Sequence, residues 1–181
     1  MNIFKNVINI FKTDNGADAN EMNGYLTNAK SNIKQAYIHL NRFLGSTSGF
    51  VPARRHEEFY YVEVRDRLKK IKSYLFDGNA LIDYKLKGMN EQPSRLKSIE
   101  ELKKFVDSSI TTIRNDNAEL DNGVIKKLQT EMWSEERKLR GFPVPKDKET
   151  LINSLEESRK YLIELSMDLE NYNLLISSST L

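Results

Sequence analysis

Apolar residues recur along this chain at intervals of three and four, the spacing that keeps side chains on one face of an α-helix. Tyr25, Leu26, Ala29, Ile33, Tyr37, Leu40 and Leu44 form one such stripe, and Gly45 follows where a left-handed cap would end it. This predicts a helix over 24–44. Tyr61, Val64, Leu68, Ile71 and Leu75 predict a second over about 54–76. Phe59-Tyr60-Tyr61-Val62 has strand propensity in isolation, but no alternating pattern continues on either side, so the helical period outweighs it. Asp77-Gly78-Asn79 reads as a break, with a short helix over 81–86 before Gly88 and Pro93.

Ser98 and Glu101 have the spacing of a capping box, and Ile99, Leu102, Val106, Ile110 and Ile113 carry a third long helix to about residue 114. Ile125, Leu128, Met132 and Leu139 mark a fourth over 118–139, stopped by Gly141-Phe142-Pro143-Val144-Pro145. Asp147 is placed to cap the last helix. There Leu151, Leu155, Ser158, Leu162, Leu165, Leu169, Tyr172 and Ile176 alternate steps of three and four over about 30 residues, a rod of roughly 45 Å. Residues 177–181 are expected to fray.

The first twelve residues divide most sharply. Asn2, Lys5, Asn6, Asn9 and Lys12 fall on one side of a helical wheel, and Ile3, Phe4, Val7, Ile8, Ile10 and Phe11 cover about 160° of the other. Residues 13–23 are small, polar and turn-forming, and read as a linker to the body. Ordering twelve residues costs on the order of 12–24 kcal/mol of backbone entropy, and so short a helix is marginal alone. Burial of six apolar side chains at roughly 1.5–3 kcal/mol each offsets this only against another surface. That surface is the chain's own body, a twin subunit, a partner's groove or a membrane face.

These patterns predict an all-α fold: a four- to five-helix, mainly antiparallel bundle over 24–176 with a long C-terminal helix, preceded by an N-terminal amphipathic arm at 1–12. A chain of 181 residues accommodates one such domain with an appendage and buries about 70% of its unfolded surface. With no cysteine, thiolate metal sites, disulfides and cysteine nucleophiles are excluded. No apolar run reaches the roughly 20 residues of a membrane span, and Lys5, Asn6 and Asn9 interrupt the one stretch resembling a secretory leader. A cytoplasmic location is therefore expected. Abundant asparagine, lysine and isoleucine point to an AT-rich genome, such as that of a low-GC bacterium or its phages.

Charge and chemistry narrow the function classes. The 28 basic and 26 acidic residues nearly cancel, so attraction to nucleic acid must be local. Arg65, Arg67, Lys69, Lys70 and Lys72 provide the candidate, Arg65, Lys69 and Lys72 lying at i, i+4, i+7. His56-Glu57 opens like a zinc-protease motif, but Tyr60 stands at the second ligand position. The Glu-x-x-His of di-iron bundles fails too, because Ala36 and Ala53 precede His39 and His56 by three. Neither histidine follows an arginine by the four to six residues used in helical ribonucleases of bacterial defence. Phosphate loops, dinucleotide fingerprints and nucleophile elbows are missing, so no cofactor, metal or small-molecule substrate is expected.

What remains is contact. Two joints share a form, Gly49-Phe50-Val51-Pro52 before Arg54 and Gly141-Phe142-Pro143-Val144-Pro145 before Lys146, with Trp133 near the second in sequence. The expectation is a non-enzymatic interaction, regulatory or assembly protein that binds a partner or itself. Its anchors would be Ile3, Phe4, Val7, Ile8, Ile10, Phe11, Phe50, Val51, Trp133, Phe142 and Val144. Nucleic-acid binding through the basic residues and membrane attachment through 1–12 are the alternatives.

Overall fold

A computed structural model describes residues 3–46, 55–88, 95–120 and 148–178, with side chains placed over 18–45, 63–88, 95–120 and 152–178. Apart from Gly88 and residues 95–98, the described residues are helical, without a strand among them. Four helices follow one another: α1 (Ile3–Ser46), α2 (Arg55–Lys87), α3 (Ile99–Glu119) and α4 (Lys148–Ser178). The fourth helix predicted over 118–139 lies, beyond Leu120, outside the described residues, as does Asp147.

Each helix packs against two of the others. α1 touches α4 and α2, and α3 touches α4 and α2, so the four stand at the corners of a bundle. The pairing residues run in opposite senses along every seam. Lys30 and Tyr37 of α1 meet Asp83 and Lys72 of α2. Arg67 and Tyr74 of α2 meet Asp116 and Phe105 of α3. Lys103 and Asn117 of α3 meet Glu170 and Glu156 of α4, and Asn32 and His39 of α1 meet Asp168 and Tyr161 of α4. All four neighbouring pairs are antiparallel.

The core is built from the expected stripes. Leu26, Ala29, Ile33 and Leu40 of α1, Val64, Leu68, Ile71 and Leu75 of α2, Leu102, Val106 and Ile113 of α3, and Leu155, Leu162, Leu165 and Leu169 of α4 are all buried. The seam between α1 and α4 is the most extensive. Small residues make close approach there feasible: Ala29, Ala36 and Ser158 are fully covered, and the Ser158 hydroxyl donates to the Ala36 carbonyl at 3.2 Å.

The boundaries differ from the sequence expectation in four places, the first three with a physical reason. First, α1 does not begin after a linker: its helical backbone runs through 13–23 to Ile3 and past Gly45 to Ser46. No proline interrupts 13–23, a glycine in a helix costs only about 1 kcal/mol, and propagation from an already packed helix needs no new nucleus. Second, Asp77-Gly78-Asn79 does not break α2. Gly78 is instead a contact point, since a Cβ there would stand 2.6 Å from Cδ1 of Leu102 on α3. The stop comes ten residues later at Gly88, with φ of +60°, after Leu81 and Ile82 have been buried.

Third, α3 continues past residue 114 to Glu119, because Asp116, Asn117 and Leu120 are drawn into the bundle. Its start is where the capping residues place it. The Ser98 hydroxyl accepts from the Glu101 N–H at 3.1 Å, while the Glu101 carboxylate accepts from the Lys97 N–H at 2.8 Å. At the end of α4, the helix includes Ser177 and Ser178, where fraying was expected, and Ile176 is exposed rather than part of the core.

Candidate interaction site

The side chains expected to anchor a partner lie outside the described residues. Ile3, Phe4, Val7, Ile8, Ile10 and Phe11 belong to α1, but their side chains lie outside the described residues. So do Phe50, Val51, Trp133, Phe142 and Val144. What can be described of the first segment is its backbone, which is continuous with the bundle. Asn32 donates to Asp168, so Ser178, the end of α4, is level with about residue 22 of α1 in that antiparallel register. Lys30 faces Asp83, which places Lys87, the end of α2, near residue 26. α1 therefore projects past its neighbours' described ends by roughly 19 residues, or about 28 Å of helix.

The basic residues of α2 are not brought together. Lys72 turns toward α1, its Nζ 5.1 Å from the centre of the Tyr37 ring. Arg67 turns the other way, toward α3, and donates from Nη2 to Asp116 at 2.6 Å with Glu63 at 3.5 Å. Lys69 pairs with Asp66 at 3.4 Å. Arg65 and Lys70 complete the set, in which Arg67, committed to a buried carboxylate, is turned away from Lys72.

Arg67 belongs to a polar layer at the end of the bundle where α3 finishes and α4 begins. Asp116 is 3% exposed, and burial pushes its carboxyl above the ordinary aspartate range against the opposing pull of Arg67. Beside it, the buried Asn117 donates to Glu156 at 2.7 Å, and Glu156 in turn accepts from Arg159 at 3.0 Å. The Oδ1 of Asn117 is buried without a hydrogen-bond partner among the described residues. These groups tie α2, α3 and α4 in register.

His39 is the one histidine whose side chain is described. Its ring stacks on Tyr161 across the α1–α4 seam, centroids 5.7 Å apart and planes 17° from parallel. Burial, then the Arg42 charge, hold it below the ordinary histidine range, with Glu157 opposing. Among the described residues no group of three or more His, Asp or Glu is placed to hold a metal ion. None of the described helices is long and apolar enough to cross a membrane.

Two surfaces missed by the sequence patterns are open to contact. Between α1 and α2 lies a cleft of about 630 Å³, lined by Ile33, Leu75, Tyr37, Phe76, Lys30 and Lys34 among others. Phe76 is 67% exposed at its lip, and Lys30 is held by Asp83 at 2.6 Å. On the α4 side of α1, meeting the cleft at Ser31, a polar groove of about 400 Å³ includes Asn32, Glu164, Met167 and Asp168. Burial lifts the Asp168 carboxyl, opposed by the hydrogen bond from Asn32. The outer side of α4 bears Ile163, Met167 and Leu174, the last two 61% and 58% exposed. These three lie four and seven residues apart, within about 40° of one another. The signal for both surfaces was present: Phe76, Ile163, Met167 and Leu174 are large apolar residues off their helices' core stripes.

Comparison with family models, with curated proteins and with solved structures returned no match to this chain.

Proposed function

We propose that this chain is a non-catalytic interaction, regulatory or assembly protein that binds a protein partner through apolar anchors and acts by steric occlusion. In this reading it works in the cytoplasm of a low-GC bacterium and is encoded by a phage or mobile element. The observation that carries the proposal is the continuity of α1 from the bundle core to Ile3. The six-residue apolar arc that the sequence carries at 3–11, with this helical backbone, supports the reading of a docking rod. The reading gains from Arg67, whose pairing with Asp116 removes one cation from the rival nucleic-acid surface.

The test compares the full chain with a version lacking residues 1–12 in affinity capture from a low-GC bacterial host. The full chain is expected to retain a protein partner at elevated salt, and the shortened one to lose it. Capture that collapses with salt, by about 0.9 log unit per log salt for each phosphate contacted, would indicate nucleic acid instead. Flotation of the full chain, but not the shortened one, with anionic liposomes would indicate membrane attachment. Amide exchange that leaves Ile3 through Phe11 unprotected, in both the purified protein and the captured complex, overturns the proposal.

A further inference from the structure

The α1–α2 cleft and the outer side of α4 are complementary in shape, length and charge. The cleft is concave, about 630 Å³, within the roughly 300–1,000 Å³ of sites that take a bound group. Its lining runs along α1 from Thr27 to Tyr37, about 15 Å of helix. The α4 surface is convex, a helix at a corner of the bundle, and Ile163 to Leu174 spans about 16 Å. Phe76 at the cleft lip and Met167 on α4 are both large apolar groups left in water.

The charges around them have opposite sign. The cleft lining contributes Lys30 and Lys34 and no acid, with Lys72 on the adjoining Tyr37 ring. Asp83, paired with Lys30, is the one carboxylate identified against the cleft's lysines. Along the α4 ridge the acids are Glu164, which with Asp168 lines the groove beside Met167, and Glu170, which pairs with Lys103. Lys160 is the opposing cation, its Nζ 5.7 Å from the centre of the Tyr161 ring. Residues 1–12 are a poor occupant for this cleft, because their only charged side chains are Lys5 and Lys12.

We infer that the α4 ridge of one copy seats in the α1–α2 cleft of a second copy, with Met167 and Ile163 against Phe76 and Tyr37, and Glu164 facing Lys34. Since α4 packs on α1 and α3, its outer side and the cleft lie on different parts of the bundle, and a molecule cannot fill its own cleft. Such a contact either closes as a two-fold dimer, each copy giving its ridge to the other's cleft, or runs head to tail to a ring or a filament. This deepens the interaction reading by naming a partner, yet it uses surfaces separate from residues 1–12. Loss of partner capture on truncation and loss of self-association are thus independent outcomes.

The experiment is sedimentation velocity on the full chain over a wide concentration range, with Phe76→Asp (cleft) and Met167→Asp (ridge). Both side chains are mostly exposed, and circular dichroism checks that each variant is folded. The wild type is expected to self-associate, to a dimer or beyond, as concentration rises. Each variant alone should stay monomeric, its self-association weakened at least about tenfold. An equimolar mixture should stop at a one-to-one pair, since it retains one intact cleft and one intact ridge. A mixture of Lys34→Glu with Glu164→Lys should pair more tightly than either with wild type. A wild type that stays monomeric throughout overturns the inference, as does either aspartate variant dimerising alone with wild-type affinity. A mixture that stays monomeric while the wild type associates overturns it equally.

Discussion

α1 is packed in opposite ways on its two sides. Toward α4 it presents Ala29 and Ala36, both fully covered, and the seam closes around them with Ser158 bonded to the Ala36 carbonyl. Toward α2 it presents Ile33, Tyr37, Lys30 and Lys34, and the seam opens into a cleft. The same helical repeat serves both sides. The difference lies in side-chain size: small residues permit helix axes to approach, whereas lysines and a tyrosine leave a furrow whose apolar floor is covered only in part. The tight seam holds the bundle together, and the open one is free to recognise.

That contrast predicts a graded response to substitution. Ala36→Leu should be the most damaging, because three added heavy atoms in a closed seam force neighbours off their rotamers at roughly 1–3 kcal/mol. The matching change on the open side, Lys34→Leu, should move stability by less than about 0.5 kcal/mol. Thermal melts of the pair decide the matter, at about 2–4 °C per kcal/mol for a chain of this size. Equal losses would show that the two sides are packed alike.

Gly78→Ala ranks next. Alanine gains helix propensity of about 1 kcal/mol, but its methyl would press on Leu102, which is completely buried and has little room to yield. A net destabilisation on the order of 1 kcal/mol is expected, relieved when Leu102→Val is added to the same chain. A stabilised Gly78→Ala would mean that α2 and α3 are farther apart at this height than described.

The smallest effect concerns the cleft rim. The hydrogen bond from Lys30, reinforced by the Lys30 and Lys87 charges, holds the Asp83 carboxyl below its ordinary value against the effect of burial. A lowered folded-state value means that the stabilisation is complete above about pH 4 and fades as pH falls through the lowered value. Asp83→Asn should therefore lose at most about 1 kcal/mol at neutral pH. It should also show a shallower decline of stability with acid than the wild type does, measured by denaturant titration at a series of pH values. An unchanged acid slope would show that the Lys30 pair adds nothing to folding.

Much of the fold could be read from spacing, and the errors share one cause. The core stripes of α2 through Leu75 and of α4 through Tyr172, and the Ser98 cap, follow from local periodicity and hydrogen-bond chemistry. Gly78 does not end α2 because a glycine marks a turn only when nothing holds the helix on either side. At Gly78 that support comes from Leu102, 24 positions away in the chain, which local spacing does not contain. The candidate surfaces were legible only as residues out of step with a stripe, without the partner helix that makes a cleft of one and a ridge of another.

By itself the amino-acid order determined an all-helical chain, the faces its helices bury, the start of α3, and a segment at 3–11 with one greasy side. It determined these because helical period and capping act within a few residues. Tertiary packing decided where helices end, which cations stay available, and how α1 came to have one closely packed flank and one bearing an apolar cleft. Those outcomes depend on distances between helix axes, set by residues far apart in the chain meeting side by side.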